Sequence, residues 1–294
     1  MSDQDHTYCD DQAGAWRSMK SLSTCEPLQV AETSVRRIGA DAGTLLRPII
    51  EEVPIEIVCD GQSYAVMMVT PGDLRDFVTG FLMSEQLIVD VTGIRDLHLV
   101  DTPLGWRAEV VLSDGGGLTG RTRHRIGDSG CGLCGLGRLE QVARPLNPLT
   151  RGTPSPIPEP VLFQALADLE AYQPLNRACG GAHAAAAVHV TGDVHLVRED
   201  VGRHNALDKL IGAASRQGVD LRQGFVLLSS RCSYELVEKA IVAGIPMLVT
   251  LSVPTSMAIR RAVAHDLTLV SLARRDSMLV IHDPYGSIAS EAVQ

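Results

Sequence analysis

Cys131 and Cys134 form a C-x-x-C pair inside GDSGCGLCGLG (Gly127–Gly137), a stretch with five glycines that follows the basic run GRTRHRIG. Thiolates bind metals, form disulfides and attack sulfur electrophiles, and the rest of the chain decides which of these a pair can do. A structural zinc needs four ligands, commonly from a second pair at similar spacing. No second pair exists, so Cys179, Cys232 or the histidines could complete such a site only through the tertiary fold. A thioredoxin-type dithiol belongs between a strand and a helix in a βαβ unit, whereas this pair lies among glycines. The third reading is nucleophilic sulfur: Arg121, Arg123, His124 and Arg125 bring positive charge that stabilises a thiolate. A glycine-rich loop would let that thiolate reach into a partner's active site. On the residues alone all three readings stay open.

Two further stretches are dense in polar groups. CGGAHAAAA places His183 after Gly180-Gly181, which permit close backbone approach. REDVGRHNALDKLIG offers Asp200 as a helix cap, with His204 and Asp208 one turn apart, and reads either as a capped helix with a solvated face or as a ligand wall. A zinc deaminase would need H-x-E followed by P-C-x-x-C. Here Ala184-Ala185 follow His183 and no proline precedes Cys131, so that hydrolytic site is absent.

Residues 1–29 lack sustained periodicity and are expected to form a poorly ordered lead-in. From Pro54, two apolar runs flank Asp60-Gly61, a hairpin turn signal. Thr70 is expected to cap the next helix, with Pro71 at its first position and Asp73 in its first turn. LHLVDTPLGWRAEVVL adds a pair of strands, so residues 30–144 form an expected α+β subdomain that ends in the cysteine loop. Residues 145–160 hold six of the fifteen prolines and are the expected linker.

Across residues 161–294 strands alternate with helices, the pattern of a mostly parallel or mixed sheet. Ligands of such sheets bind where chains leave the carboxyl ends of strands. Three exits are legible: Ser229-Ser230-Arg231-Cys232, then Ser252 through Thr255-Ser256, then Ser271 through Arg274-Arg275. Their hydroxyls and arginines suit phosphate oxygens, although a Ser or Thr at such a place can equally be a helix cap.

The 294 residues carry a formal charge of −9 and are 45% hydrophobic. That composition fits a soluble α/β protein and gives no global field for nucleic acid or an anionic membrane. No apolar run reaches the length of a membrane span, and the acidic N-terminus lacks the order of an export signal. Cytoplasm is the expected compartment. With seven cysteines, an odd number, structural disulfides are not expected there; Cys59 belongs to an apolar strand.

Taken in order, EEVPIEIVCDG, MMVTPGDLRDFVTGFLMSE, CGLCG, CGGAHAAAA, REDVGRHNALDKLIG, SSRCSYELVEKAIVAGIPMLVTLSVPTSMAIRRA and LTLVSLAR resemble the formate dehydrogenase accessory sulfurtransferase family. The resemblance implies a cytidine-deaminase-like mixed-sheet core with helices on both faces, beside a smaller N-terminal hairpin and helix subdomain. It implies a carrier that takes sulfane sulfur from a cysteine desulfurase and passes it to a molybdenum bis(guanine dinucleotide) cofactor destined for the formate dehydrogenase catalytic subunit. Cys131 would hold the persulfide and Cys134 would assist. Leu272, Ala273, Arg274, Arg275, Asp276 and Ser277 would bind the cofactor, with Ser229, Ser230, Arg231, Thr255, Ser256, His183 and His204 as weaker candidates. A homodimer and no permanently bound metal are expected. Three positions depart from the family pattern: Gly130, Cys179 and the pair Ser271-Leu272. The alternative is a delivery chaperone whose cysteines serve docking or a structural metal.

Overall fold

A computed structural model describes residues 29–39, 41–113 and 146–289, together with the backbone of 126–127. Cys131, Cys134 and the basic run before them lie outside the described residues, as does the expected lead-in apart from Gln29.

The first half opens with an antiparallel ribbon of β1 (Val30–Arg37) and β2 (Gly43–Ile50). β3 (Val53–Cys59) and β4 (Gln62–Val69) follow as a hairpin. Its turn is Asp60-Gly61, both with positive φ (48° and 78°), as a two-residue turn of this hand requires. Helix α1 (Leu74–Ser84) comes next, then the antiparallel pair β5 (Ile94–Thr102) and β6 (Gly105–Leu112), and the short β7 (Ile126–Gly127). The sheet order is β5-β6-β3-β4-β7. Alternation along β3 turns Ile55, Ile57 and Cys59 inward, where Phe77, Val78, Phe81 and Leu82 of α1 cover them.

Thr70 does not cap α1. The residue before the helix is Asp73, in a left-handed conformation (φ 54°) and without a side-chain capping bond. Thr70 is committed elsewhere: its amide donates to Asp200 Oδ2 (3.0 Å), its hydroxyl accepts from the Val201 amide (3.0 Å) and its carbonyl accepts from Lys209 Nζ (3.0 Å). A residue that reads locally as a cap thus joins the two halves of the chain.

The second half contains β8 (Ile157–Pro158), α2 (Glu159–Asp168), α3 (Pro174–Cys179), β9 (His183–His189), β10 (Val194–Asp200), α4 (Arg203–Gln217) and β11 (Gly224–Leu228). It continues with α5 (Tyr234–Val242), β12 (Met247–Thr250), α6 (Ser256–Ala264), β13 (Thr268–Ser271), β14 (Leu279–His282) and β15 (Ile288–Ala289). Six strands form one mixed sheet in the order β10-β9-β11-β12-β13-β14, with β11, β12 and β13 parallel and the other neighbours antiparallel. Period-two alternation splits its residues between two cores. Ala185, Ala187, Val226 and Leu228 face α4, α5 and α6, while Ala184, Ala186, Val188, Phe225 and Leu227 face α2. Helices therefore cover both faces.

The described part of the proline-rich segment is held along this second half. The Leu149 amide donates to the His265 carbonyl (3.0 Å), and Tyr285 Oη donates to the Leu149 carbonyl (2.6 Å). Ile157 is fully buried, and β8 pairs in parallel with β15.

The two halves meet where α1 crosses α4. A Cβ on Gly80 would collide with the Asp208 carbonyl, and one on Gly212 with the Asp76 carbonyl, so two glycines let the backbones touch. α4 is buried continuously from His204 to Ala214, which leaves it neither a solvated face nor a side-chain cap. Asp200 instead pairs with Lys209 (2.8 Å), both side chains being 0% exposed, and accepts from the Gly202 amide (2.8 Å) and Asn205 Nδ2 (2.9 Å). Asp208 accepts from Ser84 Oγ (2.6 Å) and from Lys239 Nζ (2.8 Å). An isolated charge at such depth is prohibitively costly, and pairing with further hydrogen bonds offsets that cost.

Candidate functional site

The carboxyl ends of β10, β11, β12 and β13 lie along one edge of the six-stranded sheet. β10 runs antiparallel to β9 and ends at Asp200, opposite His183. β11 is antiparallel to β9 in turn, with Leu228 opposite Ala185. The three exits legible in the sequence are therefore neighbours, and their backbones are stitched together. The Leu251 amide donates to the Leu228 carbonyl (3.0 Å), the Thr255 amide to Cys232 (3.0 Å) and the Ala273 amide to Thr250 (3.1 Å). His183 joins them because β9 starts where β11 ends.

Within this edge the hydroxyls divide into occupied and open groups. Ser229 Oγ accepts from the Ala184 amide (2.8 Å), and Ser230 is buried with its hydroxyl donating to the Arg231 carbonyl (3.0 Å). Thr255 is a helix cap, accepting from the Ala258 amide at the start of α6. Arg231, Ser256, Arg275, Asp276 and Ser277 are exposed. Arg274 ties two exits together by donating to the Leu251 and Ala273 carbonyls, while its own amide closes a turn onto the Ser277 carbonyl (2.8 Å). Leu272 takes a left-handed conformation (φ 53°), unusual for a residue with a side chain, and Ala273 beyond it is buried.

His183 is half-buried, and burial lowers its pKa below the ordinary value. The Arg203 guanidinium pushes in the same direction, Asp200 opposes, and Arg231 adds to the lowering. The imidazole is consequently a neutral donor and acceptor near pH 7, flanked by two guanidinium groups. Arg203 is the residue that sequence reading passed over. Its signal was its place as the first residue of α4, at the end of β10.

His204, one residue on, is already committed. It is buried, with Nε2 3.0 Å from Ser233 Oγ and 3.3 Å from Glu235 Oε2. Glu235 lies 3.9 Å from Lys239, which binds Asp208, so a polar path runs from the edge into the seam. His204 thus stands behind the edge and supports Ser233 and Glu235.

Cys59, Cys179 and Cys232 are free, buried thiols. Burial pushes the pKa of Cys59 and of Cys232 up from 9.0 to about 12, Asp60 adding to the shift at Cys59. Neither offers a thiolate at neutral pH. Cys179 Sγ donates to the Leu175 carbonyl (3.1 Å) and accepts from the Gly181 amide (3.4 Å).

The chain reaches the cysteine pair from a defined place. β7 runs parallel to β4, with Gly127 opposite Met67, and Cys131 follows Gly127 by four residues. The next residue of β4, Met68, accepts at its carbonyl from Asn205 Nδ2 of α4 (2.7 Å). The departure point therefore borders the helix whose first turn faces the strand exits.

Residues 50–286 match the family model described as the FdhD/NarQ family. A curated relative from Acinetobacter baylyi, named Sulfur carrier protein FdhD, is 38% identical over 254 residues, covering 84% of this chain and 91% of its own length. One of the same name from Xanthomonas euvesicatoria is 39% identical over 267 residues, covering 90% and 94%. Among solved structures, a protein described as a formate dehydrogenase accessory protein from Desulfotalea psychrophila shares the fold, with a TM-score of 0.69 and 20% identity over 89% of this chain and all of that one. On the strength of the family match and the near full-length identity, the chain belongs to the FdhD/NarQ family.

Proposed function

We propose that the protein is a sulfur carrier in formate dehydrogenase maturation, loaded as a persulfide on Cys131. The observation that carries this reading is the identity of 38–39%, over most of the chain, to proteins named Sulfur carrier protein FdhD. The C-x-x-C pair, four residues beyond the end of β7, is the sulfur chemistry the chain has to offer such a role.

In the loading step the Cys131 thiolate attacks the outer sulfur of a cysteine desulfurase persulfide. The S–S bond of the donor breaks, one forms on Cys131, and the donor leaves as a thiolate. Arg121, Arg123 and Arg125 favour the thiolate form that this attack requires. For delivery, Cys134 attacks Cys131 Sγ and closes a disulfide; the outer sulfur departs as sulfide with the electron pair, and a dithiol reductant then restores both thiols. The acceptor is a molybdenum bis(guanine dinucleotide) cofactor, here a substrate and not a resident group.

The exposed Arg231, Ser256 and Arg275, with the neutral His183 in the field of Arg203 and Arg231, suit the phosphate oxygens of such a substrate at the carboxyl edge. Leu272 to Ser277 form its outer rim. The mixed sheet with helices on both faces supports a cytidine-deaminase-like core, and the same reading includes a homodimer working in the cytoplasm with the formate dehydrogenase catalytic subunit as client.

Peptide-resolved mass spectrometry after incubation with cysteine and a cysteine desulfurase tests the reading. One added sulfur is expected on the Cys131 peptide of the wild type and none in Cys131→Ala. Equal loading of both proteins would sink the assignment to Cys131, and no loading where a control carrier loads would sink the carrier in favour of a delivery chaperone. Alanine at Cys134 should leave loading intact and stop release.

A further inference from the structure

At the opposite end of β9 from His183, roughly 20 Å along the strand, the turn into β10 gathers His189, Asp193 and His195. One ligand atom from each lies within 4.8 Å of the other two. It is the one such His, Cys, Asp or Glu group among the described residues. Two features of the hairpin build it. The ladder between β9 and β10 shifts register between Val194 and Leu196, leaving His195 as the extra residue of a bulge. Bulges re-aim side chains, and this one brings the His195 ring over that of His189, stacked with centroids 5.3 Å apart and planes 11° from parallel.

The second feature is Thr191. Its hydroxyl donates to Asp193 Oδ2 (2.6 Å) and stands 2.8 Å from His189 Nδ1. The Thr191 amide donates to the same nitrogen (3.3 Å). Thr191 thus holds the His189 ring through Nδ1, as outer hydrogen bonds orient metal-binding imidazoles, and Nε2 is the nitrogen it does not engage.

We propose that His189, Asp193 and His195 bind a divalent transition-metal ion of the zinc class, with water completing the coordination. Two imidazoles and one carboxylate are a ligand set typical of borderline metals with an open position. Metal–nitrogen bonds of about 2.0–2.1 Å place tetrahedral donors roughly 3.3 Å apart. The present separations of up to 4.8 Å close by side-chain rotation, which is inexpensive because Asp193 and His195 are exposed and His189 only half-buried. The site is separate from the carboxyl edge, at the other end of β9.

The test is titration of Co²⁺ and Zn²⁺ into the untagged full-length chain carrying Cys131→Ala and Cys134→Ala, with and without His195→Gln. One equivalent should bind to the cysteine-free chain, and His195→Gln should weaken it at least about tenfold. Asp193→Asn should weaken it by less, and Thr191→Val less again through the lost outer hydrogen bond. Equal affinity with and without His195, or no binding once the cysteine pair is gone, overturns the proposal. Circular dichroism melts of the metal-free variants should coincide, which separates ligand loss from misfolding. Persulfide loading of His195→Gln in the wild-type cysteine background should be normal, so failure here is distinguishable from failure of the carrier reading.

Discussion

The seam between α1, α4 and α5 and the carboxyl edge of the six-stranded sheet are both rich in charge, and they use it in opposite ways. In the seam, Asp200 faces Lys209 and Asp208 faces Lys239, with every one of these side chains at most 5% exposed. At the edge, Arg231 and Arg275 stand in solvent, and the hydroxyls around them are partly committed to capping and turn bonds. Buried matched charge fixes how two halves of a chain fit together; exposed charge on a stitched backbone is available to a partner or substrate. One continuous helix, α4, serves both, with Arg203 at the edge and Lys209 in the seam.

The largest effect should come from unpairing the seam. Lys209→Met leaves Asp200 buried without its cation and should cost about 3–5 kcal/mol, read as a fall in the urea midpoint. A loss under about 1 kcal/mol would mean that the seam does not hold the halves together. Gly80→Ala should follow, at about 1–3 kcal/mol, because its methyl meets the Asp208 carbonyl and α1 must move away from α4.

Alkaline pH acts on the fold by another route, through two buried thiols. Cys59 and Cys232 titrate at about 12 in the fold against 9.0 for a free thiol, so above pH 9 the unfolded chain loses protons that the native chain keeps. Stability attributable to these thiols is intact below pH 9 and falls progressively between pH 9 and 12. Denaturant midpoints measured over that range should decline, and Cys232→Ala should flatten the slope. His183, with its lowered pKa, acts with the opposite sign, losing its contribution as pH falls below the ordinary histidine value.

The smallest change in stability belongs to the edge. Arg231→Ala should leave the urea midpoint within about 0.5 kcal/mol of wild type, while weakening binding of a guanine nucleotide in equilibrium dialysis. A large stability loss there would erase the contrast between the two regions.

Much of this architecture can be read from local pattern. The Asp60-Gly61 turn, the alternating strands and the three strand exits are short-range features, since a two-residue turn or a strand's two faces depend on neighbours in sequence. The cysteine pair and its basic flank are equally plain, being a matter of residue type and spacing. The assignments that failed were made from the same kind of information. Thr70 looks like a helix cap and Asp200 like another, yet Thr70 bonds residues 130 or more positions away and Asp200 is committed to the buried Lys209 as well as to Thr70.

What the sequence by itself determined is therefore the inventory: a mixed α/β chain, a C-x-x-C thiol pair beside a basic run, and arginines and hydroxyls at strand ends. Tertiary structure alone decided which charges are matched in the dark, which arginines face water, and that a bulge stacks His195 over His189. The physical reason is that periodicity reports the faces of one element, whereas burial and pairing are properties of two elements in contact. Only the approach of α1 to α4 at Gly80 and Gly212 turns a polar helix into the buried centre of the molecule.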